Sequence, residues 1–321
     1  MNRRNVGKLA LACAALSMGA QAAHAAGAES WPTRPIRMIV GFAAGGPTDY
    51  TARVVADGLG KELGQTVVVE NKAGANGQTA AIELKRSEAD GYTIMLASSG
   101  TLSVSPARYK DLPFDVEKDF AFIGPVSGYP YILVTPASFK ANTVQELVDM
   151  AKASPNSLNA AAVSHTQELT LALFNKKYGT KIPGVPYKGD SASVNDLVGE
   201  RLDFAFLSPN VALPLLDGGK LKGLATTDRM AGALAGKYEV IDGFDIQAWN
   251  GLVAPAGTPG VAVQRLSQAL QKVLADTKLQ NALATSGQSV MTMSPDEFKK
   301  FSLDEAALWK KVAQEAGLEL L

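Results

Sequence analysis

The chain has one cysteine and two histidines in 321 residues. Cys13 and His24 both fall within the first 25 residues, so beyond them there is no thiol and a single imidazole, His165. That excludes structural disulfides, cysteine nucleophiles and Cys/His metal frameworks from the rest of the chain. Charge of one sign is not in excess either: 31 Lys and Arg stand against 31 Asp and Glu, without a basic patch. Nucleic acid is therefore not an expected partner. After the N-terminus no apolar run reaches the roughly 20 residues that span a bilayer. Low-complexity linkers and short-period repeats are absent.

What is present begins with an export pattern. Arg3, Arg4 and Lys8 form a basic start, residues 9–18 a short apolar core, and Ala23-His24-Ala25 a small-x-small cleavage site. Cleavage near Ala25 and delivery to the periplasm are expected. The apolar core is too short for an anchor. Cys13 lies inside it, with Ala10 where a lipoprotein signal usually has Leu. The remaining roughly 300 residues suffice for one large or two medium domains without disulfides.

Short β-rich runs at 36–40, 66–70 and 93–97 alternate with helical patterns. Ala52, Val55, Ala56, Leu59 and Leu63 repeat with helical spacing, and so does the Ala-rich run around 78–84. This βαβαβ order predicts a parallel sheet covered by helices on both faces. A second α/β unit follows, with strands at 131–135, 158–163 and 203–207. Its helices are expected from a capping box, Thr143-Val-Gln-Glu146, to about 152, and at 167–178, 191–199 and 209–217. A strand at 250–254 leads into Pro255-Ala-Gly-Thr-Pro259, where Thr258 is read as a helix cap with Pro259 at the first position. Ser294-Pro-Asp-Glu297 is a second capping box. Segments 124–129 and 246–251 read as a two-strand hinge, with the last section returning to the first domain. The expected bounds are 1–25 signal peptide, 26–127 first domain, 128–249 second domain and 250–321 return segment. Clefts between domains are the usual small-molecule sites.

Ile36-Arg-Met-Ile-Val-Gly-Phe-Ala-Ala-Gly-Gly-Pro-Thr-Asp49 is the most informative stretch: a buried strand, a glycine-rich turn and the start of a helix. Unpaired N–H groups and the helix dipole make such a junction attractive to anions. The lysine of a phosphate-binding P-loop is missing, and so is the Gly-x-Gly-x-x-Gly of a dinucleotide site. A carboxylate is the better candidate, a ligand-free turn the alternative. Pro47 can start the helix. Asp49 can accept N–H bonds within the first turn and so orient the loop rather than touch an anion. A second loop, Glu70-Asn-Lys-Ala-Gly-Ala-Asn-Gly77, and the hydroxyls of Ser98, Ser99 and Thr101 follow strands at the same edge, where ligands of open α/β sheets lie. Hydroxyls and amides without a general base suit binding better than catalysis. His165 is a cleft contact, a surface residue or a triad base; no Gly-x-Ser-x-Gly turn accompanies it. Tyr187 either walls the cleft or packs in the core. No metal site or cofactor is expected.

Several ordered motifs together resemble one family. They are Trp31-Pro-Thr-Arg-Pro-Ile36, Phe42-Ala-Ala-Gly-Gly-Pro-Thr-Asp49, Glu70-Asn-Lys-Ala-Gly74, Asp90-Gly-Tyr92, Val185-Pro-Tyr-Lys-Gly189, Gly223-Leu-Ala225 and Gly251-Leu-Val-Ala-Pro-Ala-Gly-Thr-Pro259. The chain resembles the Bug family, periplasmic solute receptors of tripartite tricarboxylate transporters. The resemblance implies an α/β, two-domain Venus-flytrap fold of periplasmic-binding-protein type II, a small carboxylate ligand in the cleft, membrane transporter subunits as partners, a monomer, and no enzyme activity. It implies ligand contacts from the first loop, Phe42, Ala43, Ala44, Gly45, Gly46, Thr48 and Asp49, and from a second-domain loop, Ser164, His165, Thr166, Gln167 and Glu168. The strand-end residues Ser98, Ser99 and Thr101, with Tyr187 and Pro209, complete the candidate ligand contacts. Glu168 stands where His is common in the family. Two readings of it are open: it faces a cationic or donor group of the ligand, or it caps its helix. A periplasmic sensor feeding a two-component system is the alternative function, and a hydrolase the third.

Overall fold

The computed structural model describes residues 31–187, 190–229 and 235–321. The expected signal segment, the start of the first domain before Trp31, and the Lys188-Gly189 part of one motif lie outside the described residues. In chain order the elements are β1 (Ile36–Val40), α1 (Pro47–Leu63), β2 (Val67–Asn71), α2 (Gln78–Arg86), β3 (Thr93–Ser98), α3 (Ser105–Arg108), β4 (Phe120–Pro130) and β5 (Ile132–Pro136). Then come α4 (Val144–Ala153), β6 (Ala160–Ala162), α5 (His165–Tyr178), β7 (Gly184–Pro186), α6 (Asp190–Val198), β8 (Ala205–Leu207), α7 (Pro209–Asp217) and β9 (Leu221–Thr226). The last are β10 (Glu239–Val240), β11 (Gln247–Pro255), α8 (Gly260–Ala275), α9 (Thr277–Thr285), β12 (Ser289–Val290) and α10 (Pro295–Glu315).

Two lobes result. The first holds a six-stranded sheet in the order β12-β4-β11-β3-β1-β2. Its β1, β2 and β3 are parallel, as the alternating pattern predicts, but β11 runs antiparallel between β3 and β4. The second lobe has the order β10-β9-β5-β8, extended through a parallel bridge from Phe204 to Ala160 into the β6-β7 pair. Here β5 is the antiparallel strand beside β8 and β9. In the first lobe β12, which pairs antiparallel with β4, is reversed as well. In each lobe the strand that enters from the other, β11 or β5, runs against its neighbours, while helical crossovers keep β1, β2 and β3 parallel.

Helix α1 forms because its buried positions, including Ala52, Val55, Ala56, Leu59 and Leu63, recur every three or four residues. Gly64 ends it in the left-handed conformation, its N–H reaching Gly60 O. α1, α8 and α9 cover one face of the first sheet, and α2 with Phe298 of α10 covers the other. In the second lobe α4 and α5 pack on one face and α6 and α7 on the other.

Some local expectations need correction. Helix α5 starts at His165, two residues early, because the Ser164 side chain accepts from Gln167 N and caps it. Thr258 is not a cap: its hydroxyl donates to Pro255 O at 2.8 Å, and Pro259 is the N-cap of α8. Thr143 caps α4, but Glu146 reaches back to Asn142 N rather than to Thr143. The Ser294–Glu297 capping box is complete. The return segment also does more than rejoin the first lobe. Trp309, Val312 and Ala313 of α10 sit in the second-lobe core, and Lys176 pairs with Glu315 at 2.5 Å. One helix therefore straddles both lobes.

The lobes are joined where β4 runs into β5 and where the chain enters β11. Thr227 ties these crossings together. Its N–H donates to Tyr131 O at 3.0 Å, its hydroxyl donates to Ile246 O at 2.7 Å and accepts from Tyr131 N at 2.9 Å. No helix among the described residues is long and apolar enough to cross a membrane.

Candidate functional site

The carboxyl ends of β1, β2 and β3 point at the junction between the lobes, because β4 runs the same way and leaves the sheet there. Three loops meet at this edge. A Cβ on Gly41 would stand 2.6 Å from Gly77 Cα, and one on Gly77 would stand 2.3 Å from Thr101 Oγ1. Only hydrogen fits at either place. Thr101 closes the triangle by donating to Asn76 O at 3.0 Å.

The first loop ends in an uncapped helix. Gly46 is the N-cap of α1 and offers no side chain, while Ala43, Ala44 and Gly45 are exposed. Asp49 is buried and turned inward. It accepts from Gly45 N at 2.9 Å, Asn71 Nδ2 at 2.9 Å and Arg53 Nε at 3.0 Å. Burial raises its pKa, but the Arg53, Gly45 and Asn71 hydrogen bonds outweigh that, and the net shift is downward. Asp49 therefore shapes the loop, as its helix position suggests.

Beside the loop a polar row crosses the sheet. Asn250 of β11 is in register with Ser98 of β3 and Ser127 of β4. Cross-strand partners share a face, here the one that α1 covers. Ser127 and Thr51 both donate to Gln288 Oε1, at 2.7 and 3.1 Å. Asn250 differs. It is 2% exposed, and its Nδ2 finds no acceptor. Gln78, the first residue of α2 beside the second loop, is 6% exposed with an equally unsatisfied Nε2. Buried donors without partners are uncommon and costly.

The second lobe presents the carboxyl ends of β6, β7 and β8 to the same junction. Gln167 is buried, its Nε2 bonding Asp190 Oδ1 at 2.8 Å and Phe206 O at 2.7 Å. Ser208 donates to Asp190 Oδ2 at 2.6 Å. Tyr131, at the crossing, has its hydroxyl beside Ser164 and Thr166; burial above all pushes its pKa well up. Pro209 packs on the first lobe, since a Cβ on Gly287 would lie 2.3 Å from its Cβ.

Other candidate residues have partners within the protein. Ser99 Oγ accepts from Trp249 N at 3.3 Å. Tyr187 donates to Asp196 Oδ2 at 2.6 Å and packs against the second-lobe core. Glu168 neither caps α5 nor waits for a cation. Its Oε1 accepts from Arg108 Nη2 at 3.2 Å, and its Oε2 lies 3.3 Å from His165 Nδ1. His165 Nε2 meets Tyr109 Oη at 3.0 Å. A neutral imidazole protonated on Nδ1 satisfies both contacts. The bond to His165 and the charge of Arg108 hold the Glu168 pKa below its usual range, against its burial. Arg108 also bonds Glu319 O at 2.6 Å, so this cluster fastens α3, α5 and the chain end together. A concavity of about 300 Å³ near Lys152, Asn156 and Lys181 lies at the amino ends of β6 and β7, opposite the junction.

Gln78, Asn250, Arg108 and Asp190 are the residues that sequence reasoning passed over. Asn250 carried a signal, as a lone amide opening an apolar strand. Gln78 directly follows the Asn76-Gly77 turn. Nothing local distinguishes Arg108.

Paired lobes with loops converging on a crossing of strands frame a site between them, and relatives show what kind of protein carries it. Residues 51–318 match the family described as tripartite tricarboxylate transporter family receptor. The chain belongs to this receptor family. It is 33% identical to protein BugT of Bordetella pertussis over 301 residues, covering 91% of this chain and 92% of that one. Among solved structures it resembles the periplasmic binding protein BugD at a TM-score of 0.79 and 30% identity, covering 91% of this chain and all of that one. It also resembles R. palustris Rpa4515, solved with adipate, at a TM-score of 0.84 and 28% identity, again over 91% of this chain and all of that one. The protein is thus a solute-binding receptor of the two-lobed periplasmic type, not an enzyme.

Proposed function

We propose that this receptor captures a small carboxylate between its lobes and delivers it to the membrane subunits of a tripartite tricarboxylate-type transporter. The observation that carries this reading is the pair of buried, unsatisfied amide donors at the strand-end edge of the first lobe, Gln78 Nε2 at the start of α2 and Asn250 Nδ2 opposite the end of β3, together with the uncapped start of α1. Two fixed N–H₂ groups and a helix N-terminus offer donors, and Asp49 is spent on its own loop. The helix terminus adds roughly 0.3–2 kcal/mol for an anion. The adipate bound to the Rpa4515 relative is an acid of this kind. The contacts expected of residues 42–46, Thr48, Ser98 and Thr101 belong to this proposal, with Ser164, Thr166 and Ser208 across the junction. Closure follows from contacts that both lobes make only when the ligand bridges them, with Thr227 at the pivot. Export through residues 1–25, action as a monomer and the domain bounds at 127 and 249 are parts of the same reading.

Calorimetric titration with a panel of mono-, di- and tricarboxylates is the test. At least one acid is expected to bind, and Gln78→Leu is expected to weaken it by about 10-fold or more, the loss of one hydrogen bond to a charged acceptor. Absence of heat with every acid, or an unchanged affinity in Gln78→Leu, would refute the assignment.

A further inference from the structure

We propose that Asp190 makes the second-lobe wall of the cleft a receptor for a hydrogen-bond donor, so that the ligand carries one carboxylate and, at its other end, an ammonium or amide group. This rests on the carboxylate reading of the first-lobe site and extends it to the opposite wall.

Asp190 is placed by three strand ends at once. It opens α6 after β7, accepts from Gln167 in the first turn of α5 after β6, and accepts from Ser208 after β8. All three strands end at the lobe junction. Its carboxylate also faces the crossing strands. The negative charge of Asp190 adds to burial in raising the pKa of Tyr129 and of Tyr131, and Tyr131 flanks Ser164 and Thr166. Asp190 therefore sits beside the floor of the cleft.

The two acids of this wall are held differently. Glu168 is met by Arg108 and His165. Among the described residues Asp190 is held by neutral donors, Gln167 Nε2 on Oδ1 and the Ser208 hydroxyl and N–H on Oδ2. A carboxylate offers about four lone-pair sites. These donors fix its orientation and leave acceptor capacity on Oδ1. The first-lobe wall has the reverse polarity, with the Gln78 and Asn250 donors lacking acceptors. A ligand spanning donors on one wall and a carboxylate on the other is matched by an acceptor at one end and a donor at the other. A symmetric dicarboxylate would set its second anion against Asp190, a like-charge contact that disfavours binding.

The test is calorimetry on the purified full-length receptor with length-matched triplets. One is adipate, 6-aminohexanoate and hexanoate; the other is succinate, 4-aminobutanoate and butanoate. In at least one triplet the amino acid is expected to bind about 10-fold or more tighter than the dicarboxylate, the gain of one hydrogen bond to a charged group. In Asp190→Asn that advantage is expected to collapse while the monocarboxylate affinity stays within about twofold. The wild-type ranking decides even if the variant folds poorly. Dicarboxylates binding at least as tightly as amino acids in both triplets would overturn the inference and leave the carboxylate reading standing. Equal loss of all three ligands in a folded Asp190→Asn would also overturn it. Silence of every probe would overturn both.

Discussion

Glu305 offers a sharp test of how the straddling helix is built. It lies in the middle of α10, between the first-lobe core at Phe298 and the second-lobe core at Trp309. The Trp249 indole N–H donates to its Oε2 at 2.6 Å, and Ser103 and Trp309 lie beside it. Burial pushes its pKa up from 4.5 to about 7, and the Trp249 hydrogen bond only partly opposes the rise. A carboxyl whose folded pKa is raised stabilises the fold fully below its unfolded value. That contribution is lost as pH climbs through the folded value. Each pKa unit is worth 1.36 kcal/mol, so the structure loses about 3 kcal/mol from this one group between pH 4.5 and pH 8. For a lobe of this size that corresponds to roughly 6–12 °C in Tm. Glu305→Gln keeps an acceptor for Trp249 and cannot ionise. Scanning calorimetry of both proteins from pH 4.5 to 8 is the assay. The variant is expected to gain on the wild type steadily across that window, most of the gain falling below pH 7.5. Parallel profiles would show that Glu305 is solvated in solution and would refute the reasoning.

Other parts of the fold give further expectations. Asp49→Asn should cost about 1–3 kcal/mol at pH 7 by weakening the bonds to Gly45, Asn71 and Arg53. Because the folded pKa of Asp49 is lowered, the gap to the wild type should be full at neutral pH and shrink as pH falls below about 4, measured by thermal melts. Arg108→Met should cost about 2–3 kcal/mol, since it strands Glu168 and the Glu319 carbonyl. In a Glu168→Gln background the same change should cost measurably less in urea unfolding, and full additivity would deny the pairing.

Much of this fold was legible in the chain. The spacing of Ala52, Val55, Ala56 and Leu59 reports one buried face of α1 whatever surrounds it. The Gly-Gly-Pro junction and Asp49 announce their local roles because a helix start is governed by a few adjacent residues. Ser294 and Glu297 do the same for α10. Short strands were less legible: β6 and β8 keep only three residues each, because pairing in a sheet depends on neighbours far along the chain. Glu168 shows the limit most clearly. Its position near the start of α5 suggested a cap or a ligand contact, yet its partner Arg108 lies 60 residues away.

The sequence by itself determined the basic-apolar-small pattern of the N-terminus, the alternation of strands and helices and the glycine-rich strand-to-helix junction, since each rests on composition or on neighbours within about one helical turn. Only the tertiary structure decided which polar groups are satisfied. Asn250 and Gln78 are left with open donors, Glu168 is neutralised, and Asp190 is placed at the end of three strands. The reason is that hydrogen bonds and charges pair through space, and burial sets what an unpaired group costs.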